Sequence, residues 1–153
     1  MVSPDSFIER CNEIILRART QPFADVIKAA NELEHELQPL CRRRADRLRL
    51  AESLSDLRLL LCQLKQVPVR DCVRWADELM DRRYDLYRTV SSIGTFAIYC
   101  KERGEHAIAY DYLFRAMNDV DWDAVRSRGK EDVRRTYGRL LDELRDARND
   151  STP

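Results

Sequence analysis

A chain of 153 residues and 18.0 kDa, with 27 basic side chains against 27 acidic ones, can bury a core of its own and carries no net field toward nucleic acid or membrane. Charged residues make up 35% and apolar ones 44%, the balance of a globular protein rather than a disordered one. Four glycines and five prolines are too few for many hairpins or glycine-rich loops, and no apolar run approaches the ~20 residues of a membrane span.

The expected architecture is all-α: a compact bundle or short right-handed stack of about seven antiparallel helices, in one domain over residues 1–148 with a polar, frayed tail at 149–153. Ser3 reads as an N-cap with Pro4 at the first helical position. Phe7, Ile8, Cys11, Ile14, Ile15 and Ala18 then form the first apolar stripe. Pro22 restarts the chain, and Phe23, Val26, Ile27, Ala30, Leu33 and Leu37 form a second stripe as far as Pro39.

Residues 40–66 are the least regular. Cys41, Ala45 and Leu48 share one face, while Leu50, Leu54, Leu57, Leu61 and Leu64 follow a 4-3 spacing on nearly the opposite one. Either one helix is buried on different sides at its two ends, or it breaks at Ser53 and Asp56, which have capping-box spacing. Pro68, the weakest point for a domain cut, opens a fourth stretch with Val69, Cys72, Val73, Ala76, Leu79, Met80, Tyr87 and Val90. Ile93, Phe96, Ala97 and Cys100 follow, up to a left-handed cap at Gly104. Ile108, Ala109, Tyr112, Leu113, Ala116, Met117 and Val120 define the next segment. The acidic run 119–123 turns the chain, with Asp121 or Asp123 as an N-cap, and a last helix from about Glu131 presents Val133, Tyr137, Leu140, Leu141 and Leu144.

The catalytic and ligand motifs are largely missing. Isolated glycines at 94, 104, 129 and 138 assemble no phosphate-cradling loop. Glu32 and His35 have the Glu-x-x-His spacing of a di-metal bundle, but without a second copy and off the apolar stripe they read as a solvated face. Asp119, Asp121 and Asp123 begin like a calcium loop, yet Ala124 and Lys130 stand where glycine and glutamate are needed. Two histidines and no nucleophile elbow leave no hydrolase triad. No enzyme, metal or cofactor is therefore expected. The five cysteines (11, 41, 62, 72 and 100) are odd in number with no CxxC pair, which fits a reducing, cytoplasmic setting. Asp5, Glu9 and Glu13 argue against a signal peptide.

Arginine outnumbers lysine 23 to 4, a ratio that GC-rich codon usage produces without any function. The local cluster is more specific. Arg42, Arg43, Arg44, Arg47 and Arg49 face Asp46 alone, a local charge of +4 over residues 40–50, whereas residues 1–39 carry −3. Such a segment grips phosphates or an acidic partner. It equally suits pairing with Glu32, Glu34 and Glu36 on the preceding helix. Aromatic residues scarcely interleave with it, so no base-stacking platform is visible.

Residues 90–123 resemble one tetratricopeptide repeat, a helix-turn-helix unit of 34 residues. Ile93, Phe96 and Ala97 occupy its large, large and small positions, Gly104 its turn, and Ala109, Leu113 and Ala116 the small, large and small positions of its second helix. Cys100 and Asp121 depart from the usual tyrosine and proline, and the neighbouring windows do not repeat the pattern. The resemblance implies a non-catalytic scaffold that binds a protein partner. Tyr99, Arg103 and Tyr110, on the outer face of the hairpin, are the contact residues expected here. Self-association is compatible with such a stack. The alternative is a small nucleic-acid-binding subunit of a ribonucleoprotein, using Arg42, Arg43, Arg44, Arg47 and Arg49. No membrane contact is expected.

Overall fold

The computed structural model describes residues 4–150, and within them the chain is helical with no strand. The helices are α1 (Pro4–Arg17), α2 (Phe23–Leu37), α3 (Arg44–Leu64), α4 (Val69–Arg82), α5 (Arg88–Glu102), α6 (His106–Asn118) and α7 (Lys130–Asp150). Single 3₁₀ turns at Gln38–Leu40 and Trp122–Ala124 punctuate them. The all-α expectation holds. The N-cap expected at Ser3 lies outside the described residues, and so do 151–153 of the expected tail, whose residues 149 and 150 continue α7. No helix among the described residues is long and apolar enough to cross a membrane.

The helices gather into two compact units, 1–84 and 85–153, so Pro68 lies inside the first. In that unit α1 packs on α2, α2 on α3 and α3 on α4. Pro22 and Pro68 start α2 and α4 in the same way. Each holds an extended backbone whose carbonyl accepts the first-turn N–H groups, and each is followed at the third helical position by an aspartate, Asp25 or Asp71. The stripe of Val26, Ile27, Ala30, Leu33 and Leu37 is buried against Ile14, Leu54, Leu57 and Leu61. Each such leucine contributes about 1.5–3 kcal/mol on leaving water.

Residues 44–64 form one uninterrupted helix. The Ser53–Asp56 spacing caps nothing, because the backbone stays helical there and the Ser55 hydroxyl donates back to the Ala51 carbonyl at 2.8 Å. The two stripes expected on it are corrected as well. Leu48 and Leu64 are exposed, whereas Leu50, Leu54, Leu57 and Leu61 are inside together with Glu52, Ser55 and Arg58. The first two turns of α3 stand mostly in solvent, and the remainder is buried on nearly every side. Buried Arg58 is satisfied across three helices. Its Nε donates to Asn31 Oδ1 at 2.8 Å, its Nη2 to Glu34 Oε1 at 2.9 Å and its Nη1 to Glu78 Oε1 at 3.4 Å, while Arg82 also reaches both glutamates. The helix is closed just past its end by Gln66, whose φ of 53° is left-handed. The Gln66 and Val67 N–H groups bond back to the Gln63 and Cys62 carbonyls in a Schellman closure.

The fourth stretch does not continue to Val90: α4 ends at Arg82 in the first unit, and the second unit opens with α5. The Asp85 carboxylate accepts the Arg88 N–H at 3.1 Å and opens α5, so Val90 joins the stripe of Ile93, Phe96, Ala97 and Cys100. Gly104, at φ 78°, closes α5 as expected, with the Glu105 N–H on the Cys100 carbonyl at 2.9 Å. Phe96 meets Tyr112 of α6 edge to face, with ring centroids 5.5 Å apart. Gly94 is required by packing: a Cβ there would lie 2.6 Å from Cδ1 of Tyr137, so α7 lays its ring on bare α5 backbone. Asp121, one of the two expected caps, takes the N-cap position of the Trp122–Ala124 turn, with its backbone carbonyl accepting the Ala124 N–H at 3.1 Å and no side-chain capping bond. Trp122 also holds that turn. Its indole N–H donates to the Met117 carbonyl, and Lys130 Nζ donates to its own carbonyl.

Candidate functional site

The arginine segment sits at the corner between α2 and α3. Pro39 sets a single 3₁₀ turn, the chain extends through Cys41 and Arg43, and α3 begins at Arg44. Arg42 and Arg43 therefore lie in the connection, which corrects their expected place on a helix. The Cys41, Ala45 and Leu48 face is accordingly not a single helical face. Arg47 folds back over this corner and donates from Nη1 to the Cys41 and Arg42 carbonyls, each at 3.2 Å. The loop is thus held by one of its own cations. Arg42, Arg43, Arg44, Arg47 and Arg49 are all exposed.

The acidic helix does not neutralise them. Glu34 is taken by Arg58 and Arg82, and Glu36 by Arg10 through a two-pronged bond at 2.6 and 2.8 Å. That bond holds the Glu36 carboxyl below the usual carboxylate range and raises Arg10. Glu32 and His35 are exposed. Among the described residues no carboxylate lies within ion-pairing distance of the five arginines. Pairing with Glu32, Glu34 and Glu36 is therefore not what the cluster is for. Five exposed guanidiniums on a short, pinned segment attract an anion with several charges.

One aromatic residue joins this segment through the fold. Tyr84 follows α4, and its backbone N–H donates at 2.6 Å to Glu52 Oε2, a carboxylate buried on α3. Glu52 lies one turn beyond Arg49, whose guanidinium stands 5.3 Å from the Tyr84 ring centroid. Tyr84 stays 42% exposed. Reading the sequence linearly missed it, because no aromatic residue is near the arginines along the chain. The one available signal was a tyrosine directly after the arginines that end α4.

The hairpin residues divide differently. Tyr99 is buried, with the Arg103 guanidinium 3.5 Å from its ring centroid and Arg103 Nη1 donating to its carbonyl at 3.1 Å. Its expected outer-face position is corrected: the ring is packed and only Arg103 above it meets solvent. Tyr110 is half-buried, stacked on Phe114 at 5.7 Å and covered by Arg148 at 4.4 Å. Phe114, not foreseen as a contact, is 45% exposed. None of the five cysteines is in a disulfide; Cys62, Cys72 and Cys100 are buried, and burial pushes the Cys11 thiol up. Among the described residues no group of three histidine, cysteine or acidic side chains is placed to hold a metal ion. The chain matches no family model, no curated protein and no solved structure.

Proposed function

We propose that this chain is a non-catalytic helical interaction module whose contact surface is the arginine corner of α3 and whose partner is a nucleic acid. The observation that carries the reading is that Arg42, Arg43, Arg44, Arg47 and Arg49 are exposed together, with no carboxylate among the described residues at ion-pairing distance from them. Guanidiniums stay protonated at any physiological pH, so such a surface binds anions and does not move protons. A repeating phosphate chain matches a row of fixed cations better than an isolated ion does. An odd number of cysteines without a CxxC pair supports the cytoplasmic setting in which such a module would work.

The test is titration of the full chain into labelled mixed-sequence nucleic acid at several salt concentrations. If all five arginines engage phosphates, log affinity falls with log salt with a slope of about −3.5 on single strands. Replacing Arg43, Arg44 and Arg47 with alanine makes that slope shallower by about 2. Affinity unchanged in the triple variant refutes the reading.

A second reading places a protein contact on the α5–α6 hairpin, as its resemblance to a tetratricopeptide unit implies. Exposed Phe114 and Ile98 favour it, with Arg103 and Tyr110 beside them in sequence. If the partner is a second copy, the chain sediments as a dimer that Phe114→Ser weakens; a monomer at all concentrations removes that form of the idea.

A further inference from the structure

We infer that the arginine corner selects single-stranded over double-stranded nucleic acid, with Tyr84 as the ring on which an unpaired base stacks. The inference rests on the nucleic-acid reading above and deepens it. Phosphates alone do not distinguish the two forms, because both present a charged backbone to guanidiniums. An exposed aromatic ring does distinguish them. A base offers its flat face only when it is out of the duplex, and stacking on a protein ring accepts any base.

Three observations make Tyr84 that ring. It is 42% exposed, although it is a large aromatic side chain within a folded unit. Its backbone N–H is bonded at 2.6 Å to Glu52, a residue only 2% exposed, which ties it to α3, the helix that carries Arg44, Arg47 and Arg49. Arg49 stands over one face of the ring, 5.3 Å from its centroid, so a base stacked on the other face would lie next to a cation. An acidic peptide would use the arginines and leave the ring without a flat partner.

The test compares a labelled mixed-sequence 12-nucleotide strand with the duplex of the same sequence by fluorescence anisotropy. It uses the full chain as wild type, Tyr84→Ala, Tyr84→Phe and the Arg43, Arg44 and Arg47 triple alanine variant. The wild type is expected to bind the strand at least tenfold more tightly than the duplex. Tyr84→Ala loses about tenfold on the strand, the equivalent of one base stack, and little on the duplex, with the salt slope retained. Tyr84→Phe, which keeps the ring, recovers most of that loss. A thermal melt of each variant separates lost stacking from lost folding. If Tyr84→Ala changes nothing, or weakens strand and duplex equally, the stacking role is overturned while binding that the triple variant abolishes keeps the nucleic-acid reading. Absence of binding to either form overturns both. Competition by a polyglutamate peptide as strong as by unlabelled strand assigns the corner to an acidic protein and overturns the inference.

Discussion

Arg58→Ala removes a guanidinium whose side chain is 5% exposed and which is bonded to Asn31, Glu34 and Glu78 from α3. The deletion leaves the two glutamates inside the first unit without their principal counter-charge. Removing one member of a buried pair costs about 3–5 kcal/mol. Here Arg82 remains 3.0 Å from Glu34 and 3.3 Å from Glu78, and both carboxylates keep some contact with water. The lower end applies, about 3 kcal/mol, which changes the folding constant on the order of a hundredfold. Trp75 packs against the same core and meets Phe23 edge to face at 6.4 Å, so its fluorescence reports this unit. Urea titrations in a Trp122→Phe background measure the cost. A companion variant, Arg58→Met with Glu34→Gln and Glu78→Gln, removes charge and counter-charge together and is expected within about 1 kcal/mol of the parent. A cost below about 1 kcal/mol for Arg58→Ala refutes the argument. A companion no more stable than Arg58→Ala shows that the loss lies in packing rather than in stranded charge.

Two further outcomes follow from local geometry. Gln66 is an exposed residue at φ 53°, where a Cβ is strained and glycine is not, so Gln66→Gly raises stability by about 0.5–1 kcal/mol and the melting temperature by several degrees. A lowered melting temperature contradicts the left-handed cap. The Glu36 carboxyl is held below its ordinary value by Arg10, so this pair adds stability above the unfolded glutamate pKa and loses it as pH falls through the lower folded value. The stability difference between wild type and Glu36→Gln is therefore present at pH 7 and closes in acid, and it shrinks in high salt because the pair is exposed. A pH-independent difference excludes the linkage.

The fold was legible because apolar residues recur at helical spacing on most elements. The α2 stripe from Val26 to Leu37 is buried residue for residue, and Gly104 closes α5 where its position after Lys101 and Arg103 implied. The start of α5 was hidden. Tyr87 and Val90 lie close enough in phase to the α4 stripe to read as its continuation, whereas the backbone turns extended at Arg83 and the next helix opens only at Arg88, whose N–H the Asp85 carboxylate accepts. Glu52, Ser55 and Arg58 were illegible for another reason: polar side chains read as solvated unless their partners on other helices are known. The same applies to Tyr84, which meets Arg49 only through α3–α4 packing. The arginine excess also gains a structural reading. Arg74 lies over Trp75 at 4.7 Å, Arg115 over Tyr112 at 4.7 Å and Arg134 over Trp122 at 5.6 Å, cation–ring contacts for which arginine is used more often than lysine.

Helix α3 keeps two tasks apart along its own axis. Its later turns, from Leu54 through Leu61, are locked in the core, while Arg44, Arg47 and Arg49 stand in solvent on the first two. Substitution at that exposed end disturbs little buried surface, so its chemistry can change without the loss of stability that usually accompanies altered function. Changes of charge at 42, 43, 44 and 49 are therefore expected to alter what the corner binds while leaving the stability set by the residues behind it nearly unchanged. The specificity of such a module can drift on a scaffold that does not.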